Sequence, residues 1–299
     1  MSIPHKPTVL LLGATGQVGH ALRAPLSAWG TVVAPGRDTA DLTAPDTLRA
    51  AVREAAPDVI VNAAAYTAVD DAEDEPDRAA AINARAPGVL AEAAAEAGAW
   101  LVHYSTDYVF DGTKAAPYVE TDPTTPVNVY GRTKREGEEA IQAVGAPHLI
   151  LRTSWVYSAR RSNFLLSMLR LADEHDVLTV VDDQTGTPTS ALWIAAATTT
   201  ILRRLQAMEV PEEAGGLYHL AAAGQTSWYG FAQAIFAQFG RTDVAVEPIP
   251  TEEYPTPAAR PAYTVLDSGK ACTAFDLDVP TWSEQLAALR SEMKEQEGA

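Results

Sequence analysis

Three features of the sequence predict an α/β fold built on a doubly wound parallel sheet. Short apolar runs recur, as in Thr8-Val9-Leu10-Leu11-Leu12 and Val59-Ile60-Val61. Such runs suit strands buried on both faces. Helical stretches separate them as far as about residue 157, the rhythm of crossover-connected parallel strands. The first run also ends in Gly13-Ala14-Thr15-Gly16-Gln17-Val18-Gly19, a glycine spacing that turns a strand tightly into a helix.

Taken in order, the glycines let backbone approach a ligand, and diphosphate is expected at the positive N-terminus of a helix over residues 17–26, cut short by Pro25. A second strand, 31–34, ends at Pro35-Gly36-Arg37-Asp38. A carboxylate at this strand end would hold the adenosine ribose 2′-hydroxyl, whereas Gly36 followed by Arg37 suits a 2′-phosphate. NADP(H) is therefore favoured over NAD(H), set against Asp38 rotating in or Arg37 being merely solvated. A helix is expected over 45–55, a third strand at 58–62, and a long alanine-rich helix over 79–96. The acidic run from Asp70 to Asp77 reads as a solvated loop and helix start, where carboxylates are favourable.

The fourth strand, 100–104, leads into Ser105-Thr106-Asp107-Tyr108. Hydroxyls and a carboxylate at the C-terminal end of a central strand lie where open α/β sheets bind ligands, or else simply cap the next turn. About two dozen residues later comes Asn128-Val129-Tyr130-Gly131-Arg132-Thr133-Lys134 at the head of a polar-faced helix. Tyr130 and Lys134, four apart, share one helix face. A lysine charge near a phenol lowers its pKa from about 10 and makes it a usable acid or base. After the fifth strand, 148–152, Trp155 is either core or an apolar wall for a sugar or base.

Beyond residue 157 the rhythm changes, which divides the chain into a dinucleotide-binding part, 1–157, and a mainly substrate-binding lobe, 158–299, with segments returning to the main sheet. Helices are expected at 163–173, 192–205 and 228–239, strands at 178–181, 217–220 and 263–267, and a proline-rich segment at 248–261. His103 and His219 read as core or sheet residues. No His, Cys, Asp or Glu cluster has metal-ligand spacing, so no metal site is expected.

Over 299 residues, 39 acidic against 22 basic residues leave a net charge of −17, which disfavours nucleic acid and anionic membranes as partners. The single Cys272 excludes an intrachain disulfide and agrees with a reducing compartment. Neither an apolar leader nor a run of about 18 apolar residues occurs. A soluble, cytoplasmic protein is expected.

Together, the glycine motif, Val61-Asn62-Ala63-Ala64-Ala65-Tyr66-Thr67, Ser105-Thr106-Asp107-Tyr108-Val109-Phe110-Asp111-Gly112 and the Tyr130–Lys134 stretch resemble the extended short-chain dehydrogenase/reductases, Rossmann-fold enzymes. Arg152-Thr153-Ser154-Trp155 and Gln184-Thr185-Gly186-Thr187-Pro188-Thr189 extend the resemblance over nearly the whole chain, toward members that reduce 4-keto nucleotide sugars. The resemblance implies that Tyr130 is the acid, that Lys134 lowers its pKa and holds the nicotinamide ribose, and that Thr106 polarises the keto oxygen. It implies that Gly16, Gln17, Val18, Asp41, Leu42, Ala65, Tyr66 and Thr67 line NADPH, with NADH possible, and that Thr106, Asp107 and Trp155 touch the sugar. The implied reaction is hydride transfer to C4 of a dTDP-4-dehydro-6-deoxy-L-hexose, by a monomer or homodimer. Some members dimerise through magnesium-linked acidic side chains, but Ala21 and Leu192 stand at those positions here, which implies no such site. The alternatives are another nucleotide-sugar ketoreductase or epimerase, or a regulatory subunit of the same fold similar to the beta subunit of methionine adenosyltransferase.

Overall fold

The structure, a computed structural model, describes residues 2–297, so Met1, Gly298 and Ala299 of the two expected segments lie outside the described residues. Strands β1 (Thr8–Leu12), β2 (Thr31–Val33), β3 (Val59–Asn62), β4 (Trp100–Thr106) and β5 (His148–Thr153) alternate with helical segments. After them come β6 (Val156–Tyr157), β7 (Val177–Val181), β8 (Thr185–Gly186), β9 (Thr189–Ser190), β10 (Gly216–His219), β11 (Thr226–Ser227) and β12 (Ala245–Ile249). The main sheet runs β10-β5-β4-β3-β1-β2, and every pairing in it is parallel. From β1 the chain goes outward to β2 and then returns to β3 on the other side of β1. Such a reversal opens a crevice at the C-terminal ends of the strands, where ligands of open α/β sheets bind.

Alternation along the strands gives each face its own core. Trp100, Val102 and Tyr104 of β4 pack with Leu22, Leu26 and Ile201, from the helices Gln17–Trp29 and Ala191–Ala207. On the opposite face Leu101 packs with Leu48, Leu90 and Ile141. Each fully buried leucine of these layers contributes roughly 1.5–3 kcal/mol. Toward the strand ends the second face turns polar: Asn62 and His103, 1% exposed each, are paired in register on β3 and β4.

Several elements differ from expectation. The first helix continues through Pro25 to Trp29, because burial of Leu22, Leu26 and Trp29 outweighs the one hydrogen bond the proline removes. The alanine-rich helix is interrupted: Pro76–Ala80 and Ala86–Ala97 flank a π-helical turn, Ala81–Arg85. Pro87 has no N–H to offer the Asn83 carbonyl four residues back, which leaves that turn free to widen. Residues 263–267 make only isolated bridges, Tyr263 to Thr185 and Leu266 to Tyr118. Conversely, β12 lies inside the stretch that reads as proline-rich loop. It pairs only with β7, and an edge strand tolerates Pro248. Among the described residues, no helix is long and apolar enough to cross a membrane.

The helix Val129–Val144 is seated by two close approaches. Asn128 Oδ1 caps it by accepting from the Gly131 N–H at 2.8 Å. A Cβ on Gly131 would lie 2.0 Å from the Tyr108 carbonyl oxygen, and one on Gly137 would lie 2.1 Å from that of Asn83. Glycine to alanine inside a helix ordinarily gains up to about 1 kcal/mol. Here Gly137→Ala is expected to lose about 1–3 kcal/mol through overpacking. A urea midpoint that stays put or rises in this variant would contradict the close approach.

Candidate active site

The glycine turn lies at the C-terminal end of β1. Gly13 has φ +75°, and a Cβ there would sit 2.6 Å from the Ala64 nitrogen, so β1 and the loop after β3 meet backbone to backbone. The Gly16 N–H closes the turn on the Gly13 carbonyl at 2.9 Å. Gly16 then starts the helix with no side-chain cap and no acidic residue in the first turn, which includes Val18. An uncapped helix start beside glycines fits the diphosphate of a dinucleotide. The Gln17 side chain turns away from this cradle, its Oε1 accepting from the Ser158 hydroxyl (2.8 Å) and Asn163 Nδ2 (3.0 Å). Arg161 Nε donates to the Thr15 carbonyl at 2.9 Å, so the loop after β6 is strapped onto the glycine turn. Sequence reasoning missed this strap; the helix-capping Asn163 was its only local signal.

Past β2, the Arg37 guanidinium is 66% exposed and stands 3.5 Å from the Asp41 carboxylate. Asp41 accepts from the Thr43 N–H and hydroxyl, each at 2.8 Å, and these bonds, with Arg37, hold its carboxyl below the usual range. Leu42, next in the chain, packs on the second core. Ala65, Tyr66 and Thr67 follow β3. Asn83, in the π turn, accepts from the Tyr66 N–H (2.9 Å) and donates to its carbonyl (3.0 Å). The same amide reaches the Thr133 hydroxyl at 3.3 Å, fixing the loop to the helix that carries Lys134.

Thr106 ends β4 and caps the next turn, with Oγ1 accepting from the Tyr108 N–H (3.2 Å) and donating to Asp107 Oδ1 (3.0 Å). Asp107 also accepts from the Ser154 hydroxyl at 2.9 Å. Burial pushes its carboxyl up to about 6, against the lowering effect of these hydroxyls. The Tyr130 ring meets Tyr108 edge to face, with centroids 5.8 Å apart. Burial drives the Tyr130 phenol up to about 12, the Thr106 hydroxyl draws it back and the Asp107 charge raises it further.

Lys134 lies one turn along the same helix. It is 2% exposed, and its Nζ donates to the Tyr104 carbonyl at 2.6 Å and lies 3.2 Å from His103 Nε2. The lysine is thus tied to β4. His103 and Asn62 belong to the site's polar wall, a role that sequence reasoning did not give them.

Trp155 has φ +44°, an uncommon conformation for a bulky side chain, and lies flat on Trp228 with centroids 3.5 Å apart. Asp70 accepts from Arg260 (2.8 Å) and from the Ala258 N–H (3.1 Å), while Asn128 Nδ2 donates to the Ala259 carbonyl (2.8 Å). This strap from the C-terminal half crosses the head of the Tyr130 helix. Ala21 and Leu192 pack against apolar clusters.

A reversing parallel sheet with a glycine turn on β1 and Thr, Tyr and Lys around β4 defines a dinucleotide-binding reductase fold of the short-chain type. The RmlD substrate binding domain family matches residues 7–295, and the chain belongs to that family. It is 49% identical to a dTDP-4-dehydrorhamnose reductase of Burkholderia thailandensis over 92% of this chain and 95% of that one. Among solved structures, a dTDP-4-dehydrorhamnose reductase of Clostridium acetobutylicum superposes with a TM-score of 0.89 at 38% identity, covering 96% of this chain and 99% of that chain. One from Bacillus anthracis, in complex with NADP, does so with 0.88 at 34% identity and the same coverage, 96% and 99%.

With its phenol pushed up to about 12, Tyr130 is expected to add no phenolate absorbance below about pH 10 in the cofactor-free chain. Ultraviolet titration of the wild type against Tyr130→Phe measures this, and a phenolate component with a midpoint near neutrality would contradict the burial.

Proposed function

We propose that this chain reduces the 4-keto group of dTDP-4-dehydro-L-rhamnose with NADPH, giving dTDP-L-rhamnose. The observation that carries the reading is the gathering of Tyr130, Thr106 and Asp107 at the end of β4, beside a glycine turn built for a diphosphate. Family membership supports the substrate, and the NADP-bound relative supports the cofactor.

When bound, NADPH supplies the hydride; the chain supplies the proton and holds the oxygen. Burial keeps the Tyr130 phenol protonated at neutral pH, so it delivers its proton as an acid when negative charge develops on the C4 oxygen. The Thr106 hydroxyl, donating to Asp107 here, turns to donate to the same oxygen and polarises the carbonyl. Asp107 and Trp155 take the sugar, and Lys134 takes the nicotinamide ribose. Gly13, Gly16, Gln17 and Val18 hold the diphosphate through backbone, while Asp41, Leu42, Ala65, Tyr66 and Thr67 line the adenosine side. Arg37, free to leave the 3.5 Å Asp41 contact, pairs with the 2′-phosphate. The first half of the chain binds the dinucleotide and the second closes on the sugar.

Initial rates of NADPH oxidation with dTDP-4-dehydro-L-rhamnose test the reading. Tyr130→Phe is expected to lower kcat by about 10²–10⁴-fold. Arg37→Ala is expected to lower the NADPH-over-NADH ratio of kcat/KM by roughly tenfold, as for loss of one charge-assisted hydrogen bond. Absence of wild-type turnover despite measurable NADPH binding would rule out the substrate.

A further inference from the structure

Lys134, His103 and Asn62 form a buried file of three polar side chains. Lys134 Nζ lies 3.2 Å from His103 Nε2, and His103 Nδ1 lies 3.1 Å from Asn62 Nδ2. At the far end Asn62 Oδ1 accepts from the Ala64 N–H at 3.2 Å, next to the glycine turn. At the near end Lys134 Nζ donates to the Tyr104 carbonyl.

Each contact requires one donor and one acceptor. With Asn62 Oδ1 engaged by Ala64, the amide nitrogen can only donate, so His103 Nδ1 accepts and the ring proton sits on Nε2. That proton points at Lys134. An ammonium has three donors and no lone pair, so two N–H groups would then confront each other. A free amine resolves the conflict, accepting from Nε2–H and still donating to Tyr104. A charged Lys134 reverses the file: Nε2 accepts, Nδ1 carries the proton, Asn62 turns its carbonyl to the ring, and the Ala64 N–H loses its partner.

We propose that His103 is a positioning residue for this site: in the cofactor-free chain at alkaline pH it holds Lys134 as a free amine through Nε2–H, and charging Lys134 reverses both the ring tautomer and the Asn62 amide. The groups facing Lys134 agree. From its own helix, Glu138 is held by two of the Arg152 nitrogens, Nε at 2.8 Å and Nη2 at 2.6 Å, so its charge is already matched. Tyr130 is neutral, and the Asp107 carboxylate is turned to Thr106 and Ser154. From the sheet, His103 Nε2 and the Tyr104 carbonyl meet Lys134 Nζ, with Asn62 behind the histidine. Burial lowers Lys134 to about 8, with Glu138 opposing, and holds His103 well below the ordinary imidazole value. His103 therefore stays neutral and only its tautomer changes. Resting on the proposed cofactor role of Lys134, an anionic dinucleotide favours the ammonium, so binding takes up a proton.

Long-range proton–nitrogen NMR on the full chain with nitrogen-15 histidine reads the tautomer directly, with His103 assigned by signal loss in His103→Gln. Without cofactor, Nε2–H is expected at about pH 9, inverting to Nδ1–H as pH falls through about 8. Nδ1–H at about pH 9, or Nε2–H persisting unmoved to about pH 6.5, overturns the inference. Calorimetric NADPH titration at about pH 8.5, in buffers of differing ionisation heat, is expected to show uptake approaching one proton in the wild type and little in Lys134→Met. Binding without uptake overturns the coupling to cofactor, while absence of NADPH binding, with the tautomer as expected, overturns the cofactor reading alone.

Discussion

The hydrogen bond from Lys134 to the Tyr104 carbonyl, 2.6 Å long and wholly buried, pins the helix Val129–Val144 to the end of β4. Only because this helix lies so close can Tyr130, on its first turn, share a pocket with Thr106 and Asp107 from the strand. Gly131 and Gly137 permit the approach, Asn128 caps the end that points at the site, and the ion pair of Glu138 with Arg152 ties the third turn to β5. A buried charge pair of this sort contributes little net stability, yet removing one partner strands the other. Its effect is to fix position.

The same seating extends outward. Asn83 holds both polar groups of the Tyr66 backbone and touches Thr133, so the loop after β3 moves with the Tyr130 helix. Arg260 and Asp70 bring the C-terminal half over the head of that helix, and Arg161 brings the loop after β6 to the glycine turn. Each strap uses a polar side chain, Asn83, Arg260 or Arg161, to reach backbone or carboxylate across a sequence gap.

Much of this was legible from residues. Apolar runs gave the five leading strands, the glycine spacing gave the first turn, and the joint pattern of Thr106 with Tyr130 and Lys134 located the end of β4. What escaped were features whose cause lies elsewhere in the chain. The π turn depends on Pro87 and on Gly137 some fifty residues away, and no local periodicity records it. β12 exists because β7 offers it an edge, although Pro248 argues against a strand. His103 read as core, and it is buried; only the parallel register that sets it beside Asn62, and the tilt that brings Lys134 over it, reveal a polar wall. Spacing places Tyr130 and Lys134 on one helix face but does not say which of several acceptors the longer side chain selects, here the Tyr104 carbonyl.

The stacked indoles of Trp155 and Trp228 have a spectroscopic consequence. Two identical chromophores 3.5 Å apart and within 5° of parallel couple their transitions strongly. One belongs to the segment after β5 and the other begins the helix Trp228–Phe239, so any separation of these two elements would uncouple them. The chain thus carries its own optical gauge of the contact between the segment after β5 and the helix Trp228–Phe239, readable by circular dichroism without an attached dye.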